Sequence, residues 1–131
     1  MVKISGFSLA FVFVGGGLGA LSRWLLSDYI QSRLGFTGFP VGTLMVNVLG
    51  SFIIGFIMGA SILYGAFTRE QRLFLATGYA GSFTTFSTFE YENFRLLQSS
   101  SSLALINIML SIILGLMFLY LGYAVAGLVY K

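Results

Sequence analysis

The sequence predicts an all-α integral membrane protein, a single domain over residues 1–131 with four transmembrane helices, the third broken near its middle. Three observations carry the membrane class and the four spans. Only 8% of residues are charged and the mean hydropathy is +0.94, whereas a soluble domain carries about a quarter charged residues. Four apolar stretches reach the roughly 20 residues that cross a bilayer core about 30 Å thick. The segments between them are short and polar, and none is long enough for a soluble domain.

The first span runs from about Phe7 to Ser27. Lys3 followed by an apolar run has the look of a signal peptide, but the run continues past Arg23 to about Ile30 and three more spans follow, which favours an uncleaved helix. "SRLGFTGFP" (residues 32–40) is a turn, and Pro40 suits the first turn of the next helix. The second span covers about Val41 to Tyr64, after which "GAFTREQR" (65–72) is polar and offers Thr68 as a cap. The third span runs from about Arg72 to Leu97, and the fourth from about Leu103 to Tyr130, joined by "QSSSS" (98–102).

Small residues recur at helical spacing. Gly15 and Gly19, Gly16 and Ala20, then Ser51, Gly55 and Gly59 form stripes that let backbones approach in lipid. They serve packing within one chain or between two. With a cytoplasmic N-terminus, Lys3, Arg69, Arg72 and Lys131 lie inside, against Arg33, Arg95 and Arg23 outside. So weak a positive-inside bias permits insertion in both orientations and suits an antiparallel homodimer.

Function is sought in the polar groups at membrane depth, which are costly there. Arg23 is the only charge within the first span. It either snorkels beside Trp24 or sets a fixed positive charge at a pore mouth. Asn47 needs a hydrogen-bond partner, as glue between helices or as an uncharged donor to a desolvated anion. Gly78 and Gly81 permit a break in the third span, or only a kink or packing notch. A break would expose carbonyls that a cation can satisfy.

Beyond it, Phe86 and Phe89 share a helix face, with Ser87 and Thr88 around the same turn. Such a stripe serves core packing, or it turns ring edges, which carry partial positive charge, toward an anion. Ser111 lies deep in the fourth span, bonded to its own helix or facing a path, with Asn107 one turn earlier. Glu92 and Arg95 are spaced to pair, and Glu90 reads as a solvated helix end.

Composition excludes several classes. Without Cys there is neither a disulfide framework nor a thiolate metal site. Without His the commonest general base is missing, and no nucleophile–base set is visible, so an enzyme is not expected. A net charge of +3 spread thinly gives no stripe for nucleic acid.

Three blocks in order, "GGGLGALSRW" (15–24), "GTLMVNVLG" (42–50) and "GYAGSFTTFSTF" (78–89), resemble the Fluc or CrcB family of small fluoride channels over essentially the full chain. The resemblance implies an antiparallel, dual-topology homodimer in the cell membrane with two pores that conduct fluoride passively. It implies that Phe86 and Phe89 contact fluoride through ring edges, and that Asn47, Ser87, Thr88 and Ser111 supply polar pore groups. It places Arg23 and Glu92 near the pore mouths. It implies a structural sodium at the dimer interface on the backbone carbonyls of Gly81 and Thr84. Phe83 sits where the family varies, and Glu90 where relatives often have a small residue. The rival reading, a small four-helix multidrug or cation exporter, needs a glutamate in the first helix, and residues 7–27 contain no acid.

Overall fold

Ser5 starts the first helix by accepting the Ser8 amide at 3.2 Å. The computed structural model describes residues 4–35 and 38–130, so Lys3, Lys131 and two residues of the expected turn, Phe36 and Thr37, lie outside the described residues. Helix α1 (Gly6–Leu34) extends beyond the expected apolar stretch by almost two turns. Its Gln31 holds the connection that follows. The Gln31 Nε2 donates to the Phe39 carbonyl at 3.0 Å, and the Gly42 amide donates to Gln31 Oε1 at 2.9 Å. Helix α2 (Val41–Tyr64) begins at Pro40 and ends at Gly65. There φ is +60°, a left-handed conformation that glycine tolerates.

The next segment opens as a capping box. The Gln71 amide donates to Thr68 Oγ1 at 3.2 Å, and the Thr68 amide donates to Gln71 Oε1 at 2.8 Å. Helix α3 (Arg69–Arg72) passes directly into a π-helical segment (Leu73–Ala80) and a last α-turn, α4 (Gly81–Phe83). Thr84 and Thr85 are then extended, with φ/ψ of −89°/159° and −147°/114°. Helix α5 (Phe86–Ser99) resumes, and Ser100 alone joins it to α6 (Ser101–Val129). The Ser100 amide donates to the Leu96 carbonyl at 2.6 Å, and its hydroxyl accepts the Leu103 amide at 3.4 Å.

Among the described residues there is no strand, and α1, α2 and α6 are the helices long and apolar enough to cross a membrane. The expected third span is not one continuous helix, because it breaks between Phe83 and Phe86. The break is not at the glycines, which stay helical. Gly78 instead packs against α1, where an added Cβ would lie 3.0 Å from the Gly15 Cα.

Helix α2 is the shared element. It packs along α6 and also touches α1, while α1 lies against the π-helical segment and α5 against α6. The small-residue stripes explain these pairings. A Cβ on Gly15 or Gly19 would overlap the Phe74 or Tyr79 carbonyl, and one on Gly55 or Gly122 would overlap the carbonyl of Leu119 or Phe52. The Gly15–Gly19 and Gly55–Gly59 stripes thus serve packing within one chain. The bundle centre is built of small and β-branched residues, Val46, Ala60, Ala104 and Ala126. Large apolar side chains such as Phe13 and Leu116 face outward, as expected where lipid is the solvent.

Candidate functional site

A helix break inside a membrane leaves backbone groups with no water to satisfy them. At this one, Asn47 on α2 supplies partners for both polar groups of the Thr85 backbone. The Thr85 amide donates to Asn47 Oδ1 at 2.7 Å, and Asn47 Nδ2 donates to the Thr85 carbonyl at 3.1 Å. The side-chain amide thus stands in for the peptide that a continuous helix would have offered. The Thr85 amide, the ordinary helical donor to the Gly81 carbonyl, is turned to Asn47 instead. Thr84 stays tied to the preceding turn, with its amide and hydroxyl both donating to the Ala80 carbonyl, at 3.2 and 3.3 Å. Gly50 makes room for this, since a Cβ there would overlap the Thr84 methyl group.

Thr85 then starts α5. Its Oγ1 accepts the Thr88 amide at 3.3 Å, and its hydroxyl donates to Thr88 Oγ1 at 2.9 Å. The rings of Phe86 and Phe89 follow one turn on, with centroids 6.1 Å apart and planes tilted by 39°. Phe86 is 74% exposed in the isolated protomer.

A cavity of about 390 Å³ gathers much of the expected site. Asn47, Gly81, Thr84, Phe86, Phe89 and Ser111 all line it, with Ser51 beside them. Here Ser51 is occupied, its hydroxyl donating to the Asn47 carbonyl at 2.8 Å. Ser111 is not: its Oγ is buried without a hydrogen-bond partner, so it does not bond its own helix as an isolated serine often does. The polar groups free to meet a guest are therefore the Ser111 hydroxyl and the second Nδ2 hydrogen of Asn47. Gly81 and Thr84 bring neutral carbonyl oxygens from the broken segment, the kind of donor a hard cation such as sodium takes.

A second, wider cavity of about 660 Å³ lies toward the α1–α2 connection, lined by Trp24, Asp28, Gln31, Thr43, Glu92 and Arg95 among others. Glu92 does not pair with Arg95. The Thr43 hydroxyl donates to Glu92 Oε1 at 2.7 Å, and Glu92 Oε2 is buried without a partner. Arg23, Ser87 and Thr88 line neither cavity. Ser87 is exposed, Thr88 is tied to Thr85, and the Nε of Arg23 is buried and unpartnered. Sequence reasoning missed Asn93, which lies on α5, at the polar end of the expected third span. It bonds Asn107 across the α5–α6 contact. The signal for it was Asn107, an amide in an otherwise apolar stretch that required a partner.

The helices long and apolar enough to cross a bilayer, α1, α2 and α6, define a multi-pass integral membrane protein, with a few polar groups gathered in an open, mostly apolar cavity at the helix break. The chain belongs to the CrcB family: the model for "CrcB-like protein, Camphor Resistance (CrcB)" matches residues 10–123. It is 48% identical over 117 residues to a fluoride-specific ion channel FluC of Thermus thermophilus, covering 88% of this chain and 91% of that protein. It is 42% identical over 117 residues to fluoride-specific ion channel FluC 1 of Methanosarcina acetivorans, covering 88% of each. With FluC of Methanopyrus kandleri the match runs over 131 residues at 39% identity, covering 100% of this chain and 98% of that protein.

Proposed function

We propose that this protein is a passive, fluoride-selective channel that lets fluoride leave the cell. It works as an antiparallel homodimer of four-span protomers with two pores. The observation that carries this reading is the cavity at the helix break. Within a family whose relatives are named fluoride-specific channels, it collects Asn47, Phe86, Phe89 and Ser111. Fluoride is small and tightly hydrated, so a path must replace its water shell with many weak donors. A buried, unneutralised cation would trap the ion, and conduction needs sites that an ion can leave. The free Asn47 Nδ2 hydrogen, the Ser111 hydroxyl and the ring edges of Phe86 and Phe89 meet that condition. Ser87 and Thr88 extend the polar lining once two protomers meet, and Arg23 and Glu92 act near the pore mouths.

Phe86 stands exposed at the edge of the cavity, where a second copy would cover it. A sodium ion held by the Gly81 and Thr84 carbonyls would supply fixed positive charge between the protomers. No step of conduction runs through it. The relatives are named as ion channels, and we assign no catalysis to the chain.

The test is efflux from liposomes loaded with fluoride or chloride, followed with ion-selective electrodes. Fast fluoride efflux with little chloride efflux is expected. Well-folded dimers that release no fluoride would refute the reading.

A further inference from the structure

The turn that carries Phe89 is held by a second amide device, separate from Asn47. Asn107 is 1% exposed and Asn93 6%. From α6, Asn107 Nδ2 donates to Asn93 Oδ1 on α5 at 2.8 Å. From there, Asn93 Nδ2 donates to the Phe89 carbonyl at 2.9 Å. The orientation of both amides follows from the last acceptor. The Phe89 carbonyl can only accept, so Asn93 presents its NH2 to it and its oxygen to Asn107, which must then donate. A chain of donors thus runs from α6 through α5 to the backbone of a ring-bearing residue.

Two further facts say what this device does. Neither Asn93 nor Asn107 lines either cavity, so neither meets an ion there directly. Asn107 Oδ1 is also buried without a partner, and a buried acceptor left bare opposes folding. Leucine at both 93 and 107, close in size, would fill the same space and leave no buried polar group bare. The amide is therefore poorly explained as packing. Its geometric effect is plain: Asn47 on α2 grips Thr85, and Asn107 on α6 grips the Phe89 carbonyl through Asn93. Two amides on different helices bracket residues 85–89, the turn that carries both rings.

We propose that Asn93 and Asn107 are positioning residues. They fix the Phe89 backbone, and with it the tilt at which the Phe89 ring meets Phe86 and the cavity. The consequence for conduction rests on the fluoride-channel reading, but the positioning itself does not.

The experiment therefore has two arms, both on the full-length protein in lipid nanodiscs or liposomes. In the first, 4-fluorophenylalanine is placed at position 89 and its ¹⁹F resonance recorded. The parent is expected to give one sharp line, and Asn107→Leu a shifted, split or broadened one. An unchanged line overturns the proposal, whether or not the protein conducts fluoride. If Asn107→Leu does not fold, Asn93→Leu/Asn107→Leu leaves no unpaired amide and is read the same way.

In the second arm, fluoride efflux is compared in a double-mutant cycle with Phe89→Ile. Asn107→Leu is expected to slow efflux about tenfold in the parent, a rise of about 1.4 kcal/mol in the barrier. It is expected to change efflux less than about twofold when Phe89 is already isoleucine, the non-additivity of coupled residues. Equal losses in both backgrounds, or no loss in a parent that conducts, overturn the proposal. A parent that releases no fluoride refutes the channel reading alone, and the resonance arm still decides the positioning.

Discussion

Replacing Asn47 by leucine removes the two bonds that satisfy the Thr85 backbone at the helix break while keeping the side chain's bulk. The Thr85 amide and carbonyl lose partners at 2.7 and 3.1 Å, and Thr85 is only 9% exposed. If water were the alternative partner, two orphaned buried groups would cost about 1–3 kcal/mol each. In a membrane, polar bonds between helices average about 0.6 kcal/mol and reach about 1.7, because the unfolded chain in lipid also finds partners. Two such bonds give about 1–3 kcal/mol in total, and the lipid value governs here because both states stay in lipid. The assay is reversible unfolding of the purified protein in mixed micelles, titrated with denaturing detergent. Ser51→Ala is the comparison: it deletes a bond of a helix to its own carbonyl at 2.8 Å, and its effect is expected within about 0.5 kcal/mol. If Asn47→Leu is no less stable than Ser51→Ala, the amide does not carry the break.

Gly122→Ala puts a Cβ against the Phe52 carbonyl and should cost about 1–3 kcal/mol in detergent unfolding. Gly17→Ala, where a Cβ would meet nothing within 4 Å, should be neutral or slightly stabilising, by up to about 1 kcal/mol. Ser100→Ala removes the cap of α6 and should lower stability by about 1 kcal/mol in the same titration. Phe86→Ile, at a ring 74% exposed in the protomer, should slow fluoride efflux at least about tenfold. Cross-linking and size-exclusion profiles should be unchanged, and unaltered efflux would remove Phe86 from the path.

Much of the fold was legible because lipid imposes a strict rule on sequence. Length and apolarity mark the spans α1, α2 and α6, proline marks the start of α2 at Pro40, and capping chemistry marks the start of α3 at Thr68. The stripes of Gly15 with Gly19 and of Gly55 with Gly59 showed that close helix contacts existed. They could not say which helix each would meet. The cavity residues Asn47, Phe86, Phe89 and Ser111 were legible as polar or aromatic groups in expensive places. Ser87 and Thr88 shared that signal, yet neither lines a cavity in the protomer.

Where the expected third span breaks was decided only by the tertiary structure. Glycine lowers the cost of leaving a helix, but it cannot supply the partners that the freed backbone needs. Those come from Asn47 on another helix, so the chain opens at Thr85, opposite that amide, while Gly78 serves the contact with α1. The same reason hid Asn93. A side chain's partner across a helix contact depends on how the helices are rotated against each other, and periodicity within one segment carries no record of that. The sequence by itself determined the solvent, the spans and the types of polar group buried in them. Which of those groups satisfy the backbone, and which remain free to meet an ion, was settled when α2, α5 and α6 packed.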